Sequence, residues 1–131
     1  MKVKFSRHWK SSKQKRKQRK YRYTAPLHVR KRFLSVNLSK ELRKRYKRRN
    51  VPARKNDVVR VLRGNFKKRN GKVNKVDYRK LRVYVDGIEN IKKDGTKAFY
   101  PLNPSNLQII ELNLDDRERV RAIERNIVVK K

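Results

Sequence analysis

Two short runs in the middle of the chain alternate apolar and charged positions. Val59 and Val61 alternate with Asp57, Arg60 and Arg63, and Leu81, Val83 and Val85 alternate with Arg82 and Tyr84. A period of two is that of a strand with one buried face. Between them, Lys72 to Val76 is a third β-rich run, and Gly64 and Gly71 bracket a basic loop that contains Phe66. Three short strands so close together predict a small, curled antiparallel sheet. Asp94-Gly95 predicts a hairpin turn. Ala98 to Tyr100 follows as a strand, and Leu107, Ile109 and Ile110 supply a last one. The predicted unit spans residues 53–112, with Val59, Val61, Val73, Val83, Val85 and Ile109 inside.

On either side the pattern becomes helical. Pro26 is placed to open a short helix, with Thr24 as its cap and Leu27 and Leu34 as weak anchors. Ser39 is the expected N-cap of a second helix. Leu42 and Tyr46 form its apolar stripe, and Pro52 is expected to end it. Asp115 to Asn126 reads as a terminal helix, with Asp115, Asp116 and Glu118 in the first turn, where the macrodipole favours anions. Val120, Ile123 and Ile127 mark its narrow apolar face. The expected order is an arm (1–23), short basic helices (24–52), the β unit (53–112), then a helix and tail (113–131). The fold class is mainly β.

Charge changes this picture from a generic small domain to a polyanion binder. The 131 residues carry 42 Lys and Arg against 11 Asp and Glu, a net charge of +31. Self-repulsion at that density opposes compaction, and nucleic acid is the natural neutralising partner. Residues 1–56 hold 23 cations and one acid, Glu41, whereas 57–131 hold 19 and 10. The sequence has no long apolar run for a membrane span and no apolar stretch of signal-peptide type, so no membrane partner is expected. The absence of cysteine excludes disulfides and zinc ribbons. His8 and His28 lie in basic segments with no orienting carboxylate nearby in sequence, and six of the acids fall near element ends or turns. No catalytic set, metal site or cofactor site is expected, and no enzyme activity.

The candidate chemistry is nucleic-acid binding. Residues 1–23 hold eleven cations and no acid, so this arm is expected to stay extended or disordered when free. Its phosphate ligands are Arg7, Lys10, Lys13, Lys15, Arg16, Lys17, Arg19, Lys20 and Arg22. Trp9, with Tyr21 and Tyr23, is interleaved among them, as suits stacking on unpaired bases. The short helices add His28, Arg30, Arg32 and Arg43. In the central loop Arg63, Lys67, Lys68, Arg69 and Lys72 offer donors to phosphates. Gly64 and Gly71 permit positive φ or close approach. Phe66 is either a stacking residue or a plug for one end of the sheet.

Asp57-x-Val59-x-Val61-x-x-Gly64, then Gly71-Lys72-Val73, then Val83-x-Val85-x-Gly87 resembles a KOW motif, which implies part of a small SH3-like barrel that binds RNA. The resemblance runs further. Ala25 to Arg30, Leu38 to Arg43 with Tyr46, Pro52 to Asp57, Asp94 to Thr96 and Pro104 to Leu107 are similar to ordered blocks of one ribosomal family. It is the large-subunit protein called number twenty-four in bacteria and number twenty-six in eukaryotes, in its archaeal or eukaryotic form. The resemblance covers about residues 13–126. It implies binding to large-subunit ribosomal RNA near its 5′ region, an early role in assembly and a place near the peptide exit tunnel. The implied setting is cytoplasmic ribosomes, beside neighbouring ribosomal proteins and not as a homo-oligomer. Two departures stand out: Lys68 and Asn56 lie where relatives often have Gly. Rival readings are a transcription elongation module with a KOW motif and a histone-like DNA-compacting protein.

Overall fold

A computed structural model describes residues 5–128. The first four residues of the expected arm and the last three of the expected tail lie outside the described residues. The alternating runs form strands as their period dictates. β1 (Ser35–Leu38), β2 (Asn50–Pro52), β3 (Val58–Val61), β4 (Asn70–Asp77), β5 (Arg82–Val85) and β8 (Leu107–Glu111) build one six-stranded sheet in the order β2-β1-β8-β3-β4-β5. β6 (Glu89–Ile91) and β7 (Lys97–Phe99) form a separate antiparallel pair around Asp94-Gly95, where Gly95 has φ +82°. β3 pairs with β4 on one side and β8 on the other. Val59 faces Gly71 on β4 and Ile109 on β8, and Val61 faces Leu107. β4 pairs with β5 through Val73–Val85 and Val76–Val83, with a register shift between Val73 and Lys75. Such a bulge bends the strand and increases its twist. Val83 then bridges Leu102, so the chain beyond the β6–β7 pair returns to β5.

All six expected core residues are buried. Leu34, Val36, Leu38, Val51, Ile88, Leu102, Leu107 and Ile123 join them in one cluster. Each such aliphatic side chain contributes about 1.5–3 kcal/mol relative to exposure. Several of these residues come from the segment expected to be only helical. Residues 24–52 hold α2 (Leu27–Phe33) and α3 (Lys40–Tyr46), but also β1 and β2. These strands are four and three residues long, and their pairing with each other and with β8 makes them strands. Context of that kind outweighs local propensity. Helix and strand therefore share the chain nearly equally, and the fold is mixed with a sheet-rich core rather than mainly β.

The helical termini differ from expectation in instructive ways. Thr24 does not cap α2. It is the last residue of α1 (Lys15–Thr24), where its hydroxyl donates to Lys20 O at 2.7 Å. Leu27 is 67% exposed and anchors nothing, whereas Leu34 is fully buried. Ser39 caps α3 as expected, its Oγ accepting from Leu42 N at 3.3 Å. α3 ends at Tyr46 with Lys47 left-handed (φ +48°), well before Pro52, which closes β2. The terminal helix α4 spans Arg117–Val128. It begins two residues late because Asp116 is its cap: its carboxylate accepts from Glu118 N at 2.9 Å and its carbonyl from Val120 N. Val120 is only half-buried, and Ile123, with Ile127 beside it, makes the apolar contact.

The arm is the largest correction. Arg7–Ser11 forms a short 3₁₀ helix and Lys15–Thr24 forms α1, so the described part of the arm is not extended. Lys, Arg and Gln are good helix formers, and that local preference stands although like charges at i and i+4 oppose it. One aromatic contact docks the helix: Tyr21 lies between Phe5 and Phe33, with ring centroids 5.1 and 5.8 Å away. No residue of either arm helix is buried. The arm therefore rests on α2 without entering the core.

Candidate nucleic-acid interface

Docking α1 on α2 makes a cleft of about 650 Å³ that no single stretch of sequence contains. Arg7, Trp9 and Lys10 line it from the 3₁₀ turn, Arg22 from α1, and His28 and Arg32 from α2. Six candidates from three segments thus converge, with Phe5, Tyr21 and Phe33 as an aromatic floor. Lys13, Lys15, Arg16, Lys17, Arg19 and Lys20 are not brought to this cleft, although Gln18 of the same helix reaches it. Most of them stand exposed around α1, while Lys17 is half-buried.

The central loop forms the second cluster. Gly64 has φ +90°, which only glycine adopts freely. Gly71 serves differently: a Cβ there would clash with the carbonyl oxygen of Asp86 and lie 2.7 Å from Val85 Cγ1. β4 can approach β5 that closely only because the residue has no side chain. Lys68 takes φ +70°, so a bulky L-residue occupies the conformation that a glycine would accept more readily. Asn56 has the same φ, which Asn tolerates. Lys68 N donates to Val61 O at 2.8 Å and Arg69 N to Phe66 O at 3.2 Å, so the loop backbone is held. Phe66 packs against the core and lies 5.2 Å from the Tyr100 ring. That packing fits the plug, the half-buried ring still has an open part, and the Arg69 guanidinium sits 5.3 Å from its ring centroid. Arg63, Lys67, Lys68, Arg69 and Lys72 are exposed.

The few acids do not neutralise these clusters. Among the described residues, ion pairs join Arg54 to Asp116, Arg119 to Asp57 and Arg121 to Glu118, and none involves a candidate cation. Asp77 accepts from Lys80 N and Arg79 N, at 2.9 and 2.8 Å. The bond from Lys80 above all, with the weaker one from Arg79, holds its carboxyl below the ordinary 3.8 against the opposing effect of burial. Asp94 is held low by the hydroxyl and the backbone N–H of Thr96. Asp86 accepts from Asn74 at 2.8 Å. Asp77, Asp94 and Asp116 build turns and a cap and pair with no candidate cation, leaving those cations open to an external anion. No group of His, Cys or acidic residues suited to a metal occurs among the described residues.

One candidate has a structural role of its own, and another is only partly open. Arg30 Nε donates to Ala25 O at 2.9 Å, and its guanidinium also reaches Tyr23 O, so it caps the end of α1. Arg43 is half-buried, and its Nε is buried without a hydrogen-bond partner. Other residues were not visible in sequence. Arg79 joins Arg19, Arg22 and Arg30 beside α1. Arg82 and Tyr100 join Arg63 and Phe66 beside the loop. Arg82 lies on a strand and Tyr100 far along the chain, so only the return of residues 100–106 onto β5 reveals them.

Comparison with known proteins decides among the readings. A family profile described as the ribosomal proteins L26 of eukaryotes and L24 of archaea matches residues 12–126. The chain belongs to this family. It is also similar to the large ribosomal subunit protein uL24 of Methanosphaera stadtmanae. The two are 48% identical over 116 residues, which cover 88% of this chain and 99% of that relative. The match takes in α1, the short helices, the whole sheet and most of α4, so it does not rest on the KOW stretch alone. Membership in a family of ribosomal proteins displaces the elongation-factor and DNA-compaction readings.

Proposed function

We propose that this chain is a structural constituent of the large ribosomal subunit and binds large-subunit ribosomal RNA through its arm, the α1–α2 cleft and the loop between β3 and β4. The observation that carries this reading is the separation of charge. The chain is +31 overall, Asp57, Asp77, Asp86, Asp94, Asp115, Asp116 and Glu118 are held in hydrogen bonds or ion pairs, and the candidate cations of the cleft and loop lie outside those ion pairs. In this reading β3, β4, β5 and β8, curled by the bulge in β4 and closed toward Leu102, form the SH3-like unit of the KOW motif. Early assembly, a site near the exit of the peptide tunnel, neighbouring ribosomal proteins and residence in cytoplasmic ribosomes come with the same proposal.

Recognition rests on RNA shape and phosphates, because lysine and arginine greatly outnumber groups suited to reading base edges. Each phosphate neutralised releases counterions, so affinity falls steeply with salt. The test is binding of fragments that tile the large-subunit RNA, at several salt concentrations, together with sedimentation of the tagged chain. Co-migration with large subunits and a steep salt slope are expected. A salt-insensitive complex, or sedimentation away from ribosomes, overturns the reading.

A further inference from the structure

Beside the central loop lies a cavity of about 230 Å³ that shares Arg63 with the phosphate-binding loop and reaches beyond it. It is small beside ordinary ligand pockets of about 300–1,000 Å³. Its walls come from three places: Arg63 to Phe66, Arg82 on β5, and Tyr100 to Asn103 with Asn106. Backbone bonds fix all three. Tyr100 N donates to Ile88 O at 3.0 Å, and Leu102 exchanges bonds of 2.9 and 3.0 Å with Val83. Leu62 N donates to Asn106 O at 2.8 Å. A cavity built in this way needs little ordering when it is filled.

Its chemistry is selective. No acid lines it, and neither Arg63 nor Arg82 is in an ion pair among the described residues. Tyr100 is 39% exposed, and its ring meets Phe66 at 53° rather than lying flat on it. A planar group can therefore lie against the tyrosine. Asn103 uses its side-chain oxygen on Ser105, whose N and Oγ donate to it at 3.3 and 3.1 Å. The amide nitrogen of Asn103 then remains as a donor for an acceptor on a planar ligand. Cations for a phosphate, an aromatic face and an amide donor together suit one nucleotide.

We propose that this cavity takes a single unpaired base of the bound RNA, stacked on Tyr100, with its phosphate between Arg63 and Arg82. The inference rests on RNA being the partner. It adds a base-accepting subsite to an interface otherwise made of phosphate contacts.

The test uses the full chain and a large-subunit RNA fragment that it binds, with chemical probing of base reactivity at each nucleotide. Wild type should protect one unpaired base. Tyr100→Ala should restore reactivity at that nucleotide and weaken binding about fivefold to a hundredfold, the range for loss of one stacked base. The salt slope should not change. Tyr100→Phe should behave as wild type, and Arg82→Gln should weaken binding while lowering the slope. An unchanged melting temperature shows that the variants fold. If wild type binds the fragment and Tyr100→Ala leaves every base protected as before, the subsite is refuted while the ribosomal-RNA reading stands. If wild type binds no fragment, both fall.

Discussion

Arg119 and Asp57 form a buried, two-pronged ion pair, 62 residues apart in sequence. Nη1 meets Oδ1 at 2.6 Å and Nη2 meets Oδ2 at 2.7 Å. The side chains are 5% and 0% exposed. Asp57 also accepts from Arg54 N and Asn113 N, at 2.8 and 3.0 Å, and Arg119 also donates to Asn113 O and Pro52 O. One carboxylate thus closes the turn before β3 and holds α4 against the sheet. Nε of Arg119 alone is buried without a partner in this pair.

Breaking this pair from one side should be costly. Arg119→Met leaves a buried carboxylate with only backbone partners, and a loss of about 3–5 kcal/mol is expected. Asp57→Asn should lose a comparable amount by stranding the guanidinium. The double variant should lose less than the two losses summed. Denaturant titration of the three proteins checks this, and additive losses would show that the two residues act separately.

The core makes a simpler prediction. Val83 is fully buried and faces Val76 on β4. Val83→Asp places an unpaired charge there, which the interior does not accommodate. Circular dichroism should show loss of the cooperative melt. A native-like melt would mean that Val83 does not lie in the core.

Lys68 separates stability from binding. At φ +70° it carries the strain of a left-handed backbone, about 1–2 kcal/mol. Lys68→Gly relieves that strain but adds unfolded-chain entropy of about 0.5–1 kcal/mol. Stability should therefore be unchanged or rise by up to about 1.5 kcal/mol, while the salt slope of RNA binding falls by about one phosphate contact. Gly71→Ala should do the opposite, lowering the melting temperature, because its methyl meets the backbone of Asp86. Melting curves and salt titrations on both variants distinguish the effects.

Removing residues 1–23 should leave the melting temperature of the remainder nearly unchanged, since neither arm helix buries a residue. The same deletion removes eleven cations and the Trp9 wall of the cleft. RNA affinity and its salt slope should both fall, and by more than for the triple neutralisation of Lys67, Lys68 and Arg69. We further propose that the arm gains amide protection on RNA. Hydrogen exchange on free and bound protein checks this, and strong protection of the arm in the free protein would refute it.

Two turn carboxylates predict a pH effect at the bottom of the range. The Asp77 and Asp94 carboxyls are both held below the ordinary 3.8. A depressed folded value means that their stabilising effect is present above about pH 3.8 and is lost as pH falls through the lower folded value. Asp94 is exposed and Asp77 only half-buried, so the effect is small. Carboxyl shifts followed by NMR should show both titrating below about 3.8, and a midpoint above it would contradict the turn bonds.

Local chemistry was legible in the sequence. Alternation placed β3 and β5 and the inward Val59, Val61, Val83 and Val85, because a two-residue period has one structural meaning when one face is buried, although Leu81 of the same run falls before β5 at φ +54°. Ser39 was legible as a cap and Asp94-Gly95 as a turn, since each acts on neighbours within a few residues. The ordered blocks were enough for the family. Charge composition pointed to a polyanion, because a surplus of +31 cannot be neutralised within the chain. Only the tertiary structure decided what depends on distant partners. β1 and β2 are strands because β8 and each other's edges receive them. Arg119 is buried because Asp57 meets it there, although its sequence context is that of an exposed helical arginine. Arg82, Tyr100 and Asn103 meet because Leu102 returns to Val83, and α1 meets α2 through Tyr21 and Phe33. Contacts between residues tens of positions apart leave no period and no motif, so it is the packed chain that reveals them.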